Sequence, residues 1–107
     1  MSPRTIRLVP TDLTLTADEA RRITLRAQRL LGAGSRRGGV GGLLRHLGAV
    51  QLDTISVLAR SHELVPYARL GPIGRNAVER AYWGGRPVRA FEYWSHAACV
   101  LPIEEWP

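Results

Sequence analysis

A carboxylate and an amide separated by one residue, Asp53 and Gln51, are the side chains of this sequence whose types and spacing could do chemistry. They lie in segment 50–57, whose alternation of apolar and polar residues and β-branched content predict a short strand. Because side chains alternate along a strand, Gln51 and Asp53 share one face, and Val50 and Leu52 share the other. Such a pair could act in catalysis, and Asp53 could equally cap the following helix. Both interpretations stay open on the residues alone.

A second cluster of chemically capable side chains follows later in the chain, in the run Phe91-Glu92-Tyr93-Trp94-Ser95-His96. On a strand, alternation places Glu92 and Trp94 on one face, while Phe91 and Tyr93 share the other and are expected in the core. Aromatic side chains beside a basic surface can stack on an extruded base. A histidine near a turn is usually only solvated, so His96 gains interest only if carboxylates lie near it.

The charge of the chain favours a polyanionic partner. Fifteen of the 107 residues are basic and nine are acidic, which gives a net charge of +6, and every basic residue is Arg. The planar guanidinium can bind two phosphate oxygens at once, which suits nucleic acid. The alternative is that an all-arginine inventory reflects a GC-rich genome and that the surface binds nothing anionic.

Composition also limits the class of protein. A chain of 107 residues with 45% hydrophobic and 22% charged residues suits one globular domain with a small core. The sequence has no apolar run of membrane-spanning length and no signal-peptide pattern, its single Cys99 cannot form an internal disulfide, and no Cys/His cluster has zinc-ligand spacing. We therefore expect a cytoplasmic, monomeric protein with no membrane partner.

The first elements are predicted from caps and periodicity. Residues 1–15 are interpreted as a flexible lead-in, after which Thr16 and Glu19 form a capping box. The helix that follows is expected to run to about Leu31 and to bury an apolar stripe made of Ala20, Ile23, Ala27 and Leu30. The loop at 32–42 is rich in glycine and arginine. It lacks the ending of a phosphate-binding loop, so a solvated linker is the favoured interpretation.

From Val40 onward the predicted order is helix, short strand, two helices and a two-stranded hairpin. The helices are expected at 40–47, 56–70 and 76–83, and the hairpin strands at 88–94 and 97–101. Pro66 should kink or split the second of these helices, whose inward face is expected to contain Val57, Leu58, Leu64 and Tyr67. This order predicts a mainly helical α+β fold, a winged helix-turn-helix domain at 16–107 with an extra N-terminal helix and a small antiparallel sheet.

The last helix of a winged-helix domain commonly enters the major groove of DNA. Here that helix offers Arg75, Asn76 and Arg80, opposed by Glu79. A packing helix with a solvated, charged face is at least as good an interpretation.

Two long motifs in this order resemble the winged-helix DNA glycosylases of the YcaQ/AlkZ type. The motifs occupy residues 51–62 and 91–98, with supporting matches at 19–21, 69–72 and 101–102. The resemblance covers residues 15–107. It implies a DNA repair enzyme that cleaves the N-glycosidic bond of N7-alkylated purines, including guanines in interstrand crosslinks, in double-stranded DNA. The family has several tandem winged-helix modules, so this chain is expected to be the first module of a longer protein.

The catalytic motif of that family is Gln, an apolar residue and then Asp or Gln, and it maps onto Gln51, Leu52 and Asp53. Asp53 is expected to stabilise the oxocarbenium ion or to accept a proton from water, and Gln51 to hold the water or orient the carboxylate. Since the chain has no lysine for a Schiff base, a monofunctional glycosylase with no cofactor and no metal is expected.

The alternative hypothesis is a non-catalytic winged-helix DNA-binding module or transcriptional regulator, in which Asp53 only caps a helix or pairs with Arg60. Under the enzyme hypothesis, further residues are expected to bind DNA or support the site, and these are Arg60, His62, Arg75, Arg80, Glu92, Trp94 and His96.

Overall fold

The computed structural model describes residues 13–53, 55–56 and 58–107, so most of the expected lead-in, together with Thr54 and Val57, lies outside the described residues. Four helices and three strands follow in this order: α1 Ala17–Ala27, α2 Gly39–Leu47, β1 Val50–Gln51, α3 Ser61–Leu70, α4 Arg75–Trp83, β2 Ala90–Trp94 and β3 Ala98–Pro102. Two short 3-10 turns occupy Ala33–Arg36 and Ile103–Glu105. The mainly helical α+β class and the order from α2 to β3 are confirmed. The winged-helix name stays an interpretation of that order.

The three strands form one antiparallel sheet in the order β1-β3-β2. Val50 pairs with Val100, which in turn pairs with Glu92. In the next row Gln51 pairs with Cys99, which pairs with Tyr93. Directly paired residues point to the same side of a sheet, so Gln51 and Tyr93 share one face and Glu92 belongs to the other. The immediate neighbour of β1 is therefore β3 and not β2.

The core lies between helices α2, α3 and α4 and one face of the sheet. Its buried side chains come from all of these elements and are Val40, Leu44, Val50, Leu70, Val78, Tyr82, Ala90 and Val100. None of the helices in the described part of the chain has the length and hydrophobicity needed to cross a membrane.

Helix α1 begins as predicted but ends early and stays outside the core. The main-chain N–H of Glu19 donates to Thr16 Oγ1 over 3.1 Å, and the N–H of Thr16 donates to Glu19 Oε2 over 2.8 Å, which completes the capping box. The helix ends at Ala27, and no residue in it is buried. Ile23, expected in the core, is 54% exposed. The predicted buried stripe is wrong because periodicity indicates an apolar face but not a partner that covers it.

Helix α3 begins later than predicted and is not split at Pro66. It spans Ser61–Leu70 with Pro66 buried inside it. A proline has no N–H, so the carbonyl of His62, four residues earlier, loses its usual helical donor. The hydroxyl of Tyr82 on α4 donates to that carbonyl over 3.2 Å. Burial raises the pKa of the Tyr82 phenol, which therefore keeps its proton and remains a donor.

The inward face predicted for the second helix is wrong at Leu58, Leu64 and Tyr67, whereas Val57 lies outside the described residues. Leu58 is 88% exposed, and Leu64 and Tyr67 are exposed as well. Together with Ile73 and Val78, these side chains line a mainly apolar groove of about 550 Å³ beside α3. The buried face of α3 instead carries His62, Pro66 and Leu70.

Candidate active site and nucleic-acid interface

Gln51 is an exposed residue at the end of β1, in the row of the sheet that contains the buried Cys99. Its main-chain oxygen accepts a hydrogen bond from Ser61 Oγ at 2.5 Å. The residue also lines a hollow of about 300 Å³, together with His46 and Arg69. The side-chain amide is therefore accessible. Its strand pairs with β3 on one side and accepts the hydrogen bond from Ser61 on the other.

Asp53 lies just past the end of β1 and is half-buried. Its Oδ1 atom accepts from the N–H of Ile55 over 2.9 Å, which forms a tight local turn. Its main-chain oxygen accepts from Arg60 Nε over 2.9 Å. Among the described residues, the other carboxylate oxygen has no hydrogen-bond donor. Asp53 lines a small hollow of about 230 Å³ beside Leu58 and Ser61.

These contacts correct both non-catalytic roles considered for Asp53. The N-terminal cap of α3 is Arg60, and no side chain forms the capping hydrogen bond there. The capping interpretation is therefore wrong. Arg60 does bind Asp53, but through the main-chain oxygen, so the expected ion pair with the carboxylate is wrong as well.

Arg60 and Ser61, two consecutive residues at the start of α3, form a clamp on the candidate catalytic pair. Arg60 Nε holds the carbonyl of Asp53, and Ser61 Oγ holds the carbonyl of Gln51. Fixing two carbonyls fixes the backbone direction of the intervening residues. The structure thus brings Arg60 to the pair, and it adds Ser61, a residue of the first family motif that was not among the predicted site residues.

His62 lies inside the protein and cannot contact DNA. The ring is 1% exposed and packs against Tyr82 and Trp83 at centroid distances of 6.0 and 5.4 Å. Its Nε2–H donates to Glu79 Oε1 over 3.1 Å. Among the described residues, its Nδ1 has no partner. Of the two roles expected for His62, binding DNA or supporting the site, a direct DNA contact does not fit the buried ring, which joins α3 to α4.

The same junction brings together groups that could bind a metal ion. One ligand atom from each of His62, Glu63 and Glu79 lies within 4.8 Å of the others. However, Arg75 Nε lies 3.0 Å from Glu63 Oε1 and already supplies a positive charge to this carboxylate. The group therefore joins the two helices through the Arg75–Glu63 ion pair and the hydrogen bond between His62 and Glu79.

Helix α4 presents a weaker basic surface than its sequence indicates. Arg75 is paired with Glu63 over 3.0 Å, and Asn76 and Arg80 are exposed. Pairing reduces the charge that Arg75 can offer to a polyanion.

Three hairpin residues with polar or aromatic side chains, Glu92, Trp94 and His96, are exposed to solvent. Glu92 is exposed and Trp94 is 72% exposed on β2, and His96 is exposed in the turn before β3. Because β3 separates β2 from β1, two strand spacings of roughly 4.8 Å each lie between Glu92 on β2 and Val50 on β1, in the same row of the sheet. Among the described residues, none of these three side chains hydrogen-bonds to the candidate pair.

The core positions expected for the other two hairpin aromatics are only partly correct. Phe91 is half-buried and packs against Trp106 at a centroid distance of 4.9 Å and against Tyr93 at 6.1 Å. Tyr93 is 56% exposed, so its expected place in the core is wrong.

Comparison of the chain with models of protein families identifies a family. The family model described as DNA glycosylase AlkZ-like matches residues 44–107, which include β1, the clamp and the whole hairpin. No solved structure matches the chain. The matched part starts within α2, so α1 and the arginine-rich loop after it lie outside the matched residues.

Proposed function

This chain belongs to the family of AlkZ-like DNA glycosylases, and from that premise we propose that it hydrolyses the N-glycosidic bond of N7-alkylated purines in double-stranded DNA, including crosslinked guanines. A general role as a DNA glycosylase, with DNA as the partner, follows from the family. The lesion and the roles of individual residues are our proposal.

The chemistry of this lesion sets what the protein must supply. Alkylation at N7 makes the purine cationic, so the base leaves readily and needs little help from a general acid. As the bond breaks, the deoxyribose ring gains oxocarbenium character. A fixed carboxylate near the anomeric carbon stabilises that charge and accepts a proton from the attacking water.

The observation that carries the proposal is the way in which Asp53 is held. One carboxylate oxygen is occupied by the N–H of Ile55, the main-chain oxygen is bound by Arg60, and the second carboxylate oxygen has no donor among the described residues. A carboxylate with one oxygen anchored and one oxygen available is preorganised for a developing positive charge. Neither of these two hydrogen bonds neutralises the charge of the carboxylate, because the N–H of Ile55 is uncharged and Arg60 binds the main-chain oxygen and not the carboxylate.

Gln51 suits a supporting role in this scheme. Its side chain is exposed on β1, and its backbone is fixed by Ser61. A side-chain amide both donates and accepts hydrogen bonds, so it can orient the attacking water while the carboxylate accepts the proton. The expected product is an intact strand with an abasic site, since the chain has no lysine to form a Schiff base and carry out a lyase step.

The test measures release of 7-methylguanine from alkylated duplex DNA by the full-length protein. We expect Asp53→Asn to lower the single-turnover rate by about 10²–10³-fold, as when an electrostatic group in an active site is lost. Gln51→Ala should lower it by about 10²-fold. The matched control is Asp18→Asn, which changes an exposed carboxylate on α1 that pairs only with Arg21 among the described residues.

The outcomes separate the enzyme from its alternative. Wild-type activity in Asp53→Asn would refute the proposed role of the carboxylate. If no form of the protein releases the base although all forms bind duplex DNA, the non-catalytic DNA-binding module is favoured. Strand breaks that appear only after alkali treatment would support the monofunctional reaction.

A further inference from the structure

A hollow of about 430 Å³ lies between the end of α1, the loop that follows it and α2. We call it the arginine hollow because Arg26, Arg29 and Arg37 line it, together with Ser35 and His46. The sequence of this loop indicates a solvated linker. The hollow also lies almost entirely outside the residues matched by the family model.

The arginine hollow is held in shape by specific contacts. Arg29 adopts a left-handed backbone with φ of 54°, which is rare for a residue other than glycine. Its Nη1 donates to the carbonyl of Arg37 over 2.8 Å, and this tie closes the loop. The same carbonyl packs against Gly42 of α2, where an added Cβ would lie 2.7 Å from the oxygen. His46 Nε2–H donates to the carbonyl of Ala27 over 2.7 Å and joins α2 to the end of α1.

The charge of the hollow is uncompensated within the described part of the chain. No carboxylate lines it, and none pairs there with Arg26, Arg29 or Arg37. Among the described residues, the ion pairs between arginines and carboxylates lie elsewhere, and they join Asp18 with Arg21, Glu104 with Arg45 and Glu63 with Arg75. Three like charges around one concave surface repel one another, so an anion placed among them is attracted by all three.

We propose that the arginine hollow binds a phosphate of the DNA backbone. Arginine forks match phosphate oxygens in geometry and charge, and contacts of this kind position a protein on a duplex without reading its sequence. Helix α4, the expected recognition helix, has one of its arginines neutralised by Glu63, whereas the hollow keeps all three of its charges free of carboxylates.

The position of the hollow connects it to the candidate site. His46 lines the arginine hollow and also lines the neighbouring hollow that contains Gln51. A DNA strand anchored by its phosphate at the arginines can therefore continue past His46 toward Gln51. This inference rests on DNA as the partner and on no step of the proposed base release.

The test measures the salt dependence of binding to undamaged duplex DNA by the full-length protein. Arg26→Gln and Arg37→Gln remove charge from side chains that form no hydrogen bond with the described residues, so both variants should fold normally. Arg29 is left unchanged because it holds the loop together. The matched control is Arg22→Gln, an exposed arginine on α1 that does not line the hollow.

We expect the plot of log affinity against log salt to flatten by about 0.9 for each phosphate contact that is lost. Between 50 and 200 mM salt, the affinity of the wild type should then fall by about 3.5-fold more than that of each variant. Arg22→Gln should follow the wild type. Base release should be unchanged in the control Arg22→Gln. Because binding to undamaged duplex involves no base release, failure of this inference is distinguishable from failure of the proposed function.

Wild-type salt slopes in both Arg26→Gln and Arg37→Gln would overturn the proposal. A second arm adds inorganic phosphate at constant ionic strength and follows thermal unfolding. If phosphate stabilises the wild type but not Arg37→Gln while the duplex slope is unaltered, the ligand is free phosphate and not DNA, and the proposal is again overturned.

Discussion

The hydroxyl of Tyr82 replaces the main-chain N–H donor that α3 lacks at Pro66, and removing this hydroxyl should therefore lower the stability of the protein. Tyr82→Phe keeps the ring but leaves the carbonyl of His62 without a hydrogen bond in a buried place, where Tyr82 is 2% and His62 1% exposed. An unsatisfied buried carbonyl costs about 1–3 kcal/mol. We expect the free energy of unfolding to fall by that amount, and the melting temperature by roughly 4–8 °C for each kcal/mol.

Urea denaturation of four proteins tests the reasoning as a double-mutant cycle: wild type, Tyr82→Phe, Pro66→Ala and the double variant. Alanine at position 66 supplies the missing N–H, so Tyr82→Phe should cost about 1 kcal/mol less in that background than in the wild type. Tyr67→Phe, at a tyrosine of α3 that is 58% exposed, is the matched control and should change stability by less than about 0.5 kcal/mol. Equal costs of Tyr82→Phe in both backgrounds would refute the exchange of donors.

Two further predictions concern the glycines of α2 and the clamp. Gly42→Ala should destabilise the protein by about 1–3 kcal/mol, because its Cβ would meet the carbonyl of Arg37 at 2.7 Å. Gly41→Ala should instead stabilise α2 by up to about 1 kcal/mol, since the atom nearest to the added Cβ, at 3.5 Å, belongs to the flexible side chain of Arg45. Chemical denaturation measures both changes, and stability changes of the same sign in the two variants would contradict this reasoning. Arg60→Met should lower base release by about 10²-fold through displacement of Asp53 while duplex affinity is unchanged. A loss of affinity with a normal rate would show that Arg60 binds DNA instead.

Features that depend on residues close together in the sequence were predictable. The capping box of α1 joins Thr16 and Glu19, and both of its hydrogen bonds are present. The α-to-β order also followed from periodicity and from glycine positions. The end of α1 did not, because it depends on Arg29 turning back to Arg37 and on His46 reaching Ala27 from another helix.

The candidate site was predictable in its residues but not in its geometry. Alternation correctly separated the faces of β2, yet it could not give the strand order that places β3 between Gln51 and Glu92. Alternation also predicted that the strand continues through Asp53, whereas β1 ends at Gln51. Contacts between residues distant in the sequence explain this difference too. The backbone there is held by Arg60 and Ser61, which are seven and ten residues away from the groups they bind, and no local pattern encodes such contacts.

The two edges of the sheet differ in their protection against addition of a foreign strand. On the β1 side, the hydroxyl of Ser61 donates to the carbonyl of Gln51 that points away from β3. This carbonyl is therefore not available to accept a hydrogen bond from another strand. On the β2 side, no strand in the described part of the chain pairs with the outer edge, and Glu92, Tyr93 and Trp94 are all exposed there. A charge on an open edge opposes intermolecular strand pairing, whereas exposed aromatic side chains favour it. We therefore expect β2 to be the edge that is more open to a foreign strand, and the charge of Glu92 to oppose such pairing independently of any part in catalysis.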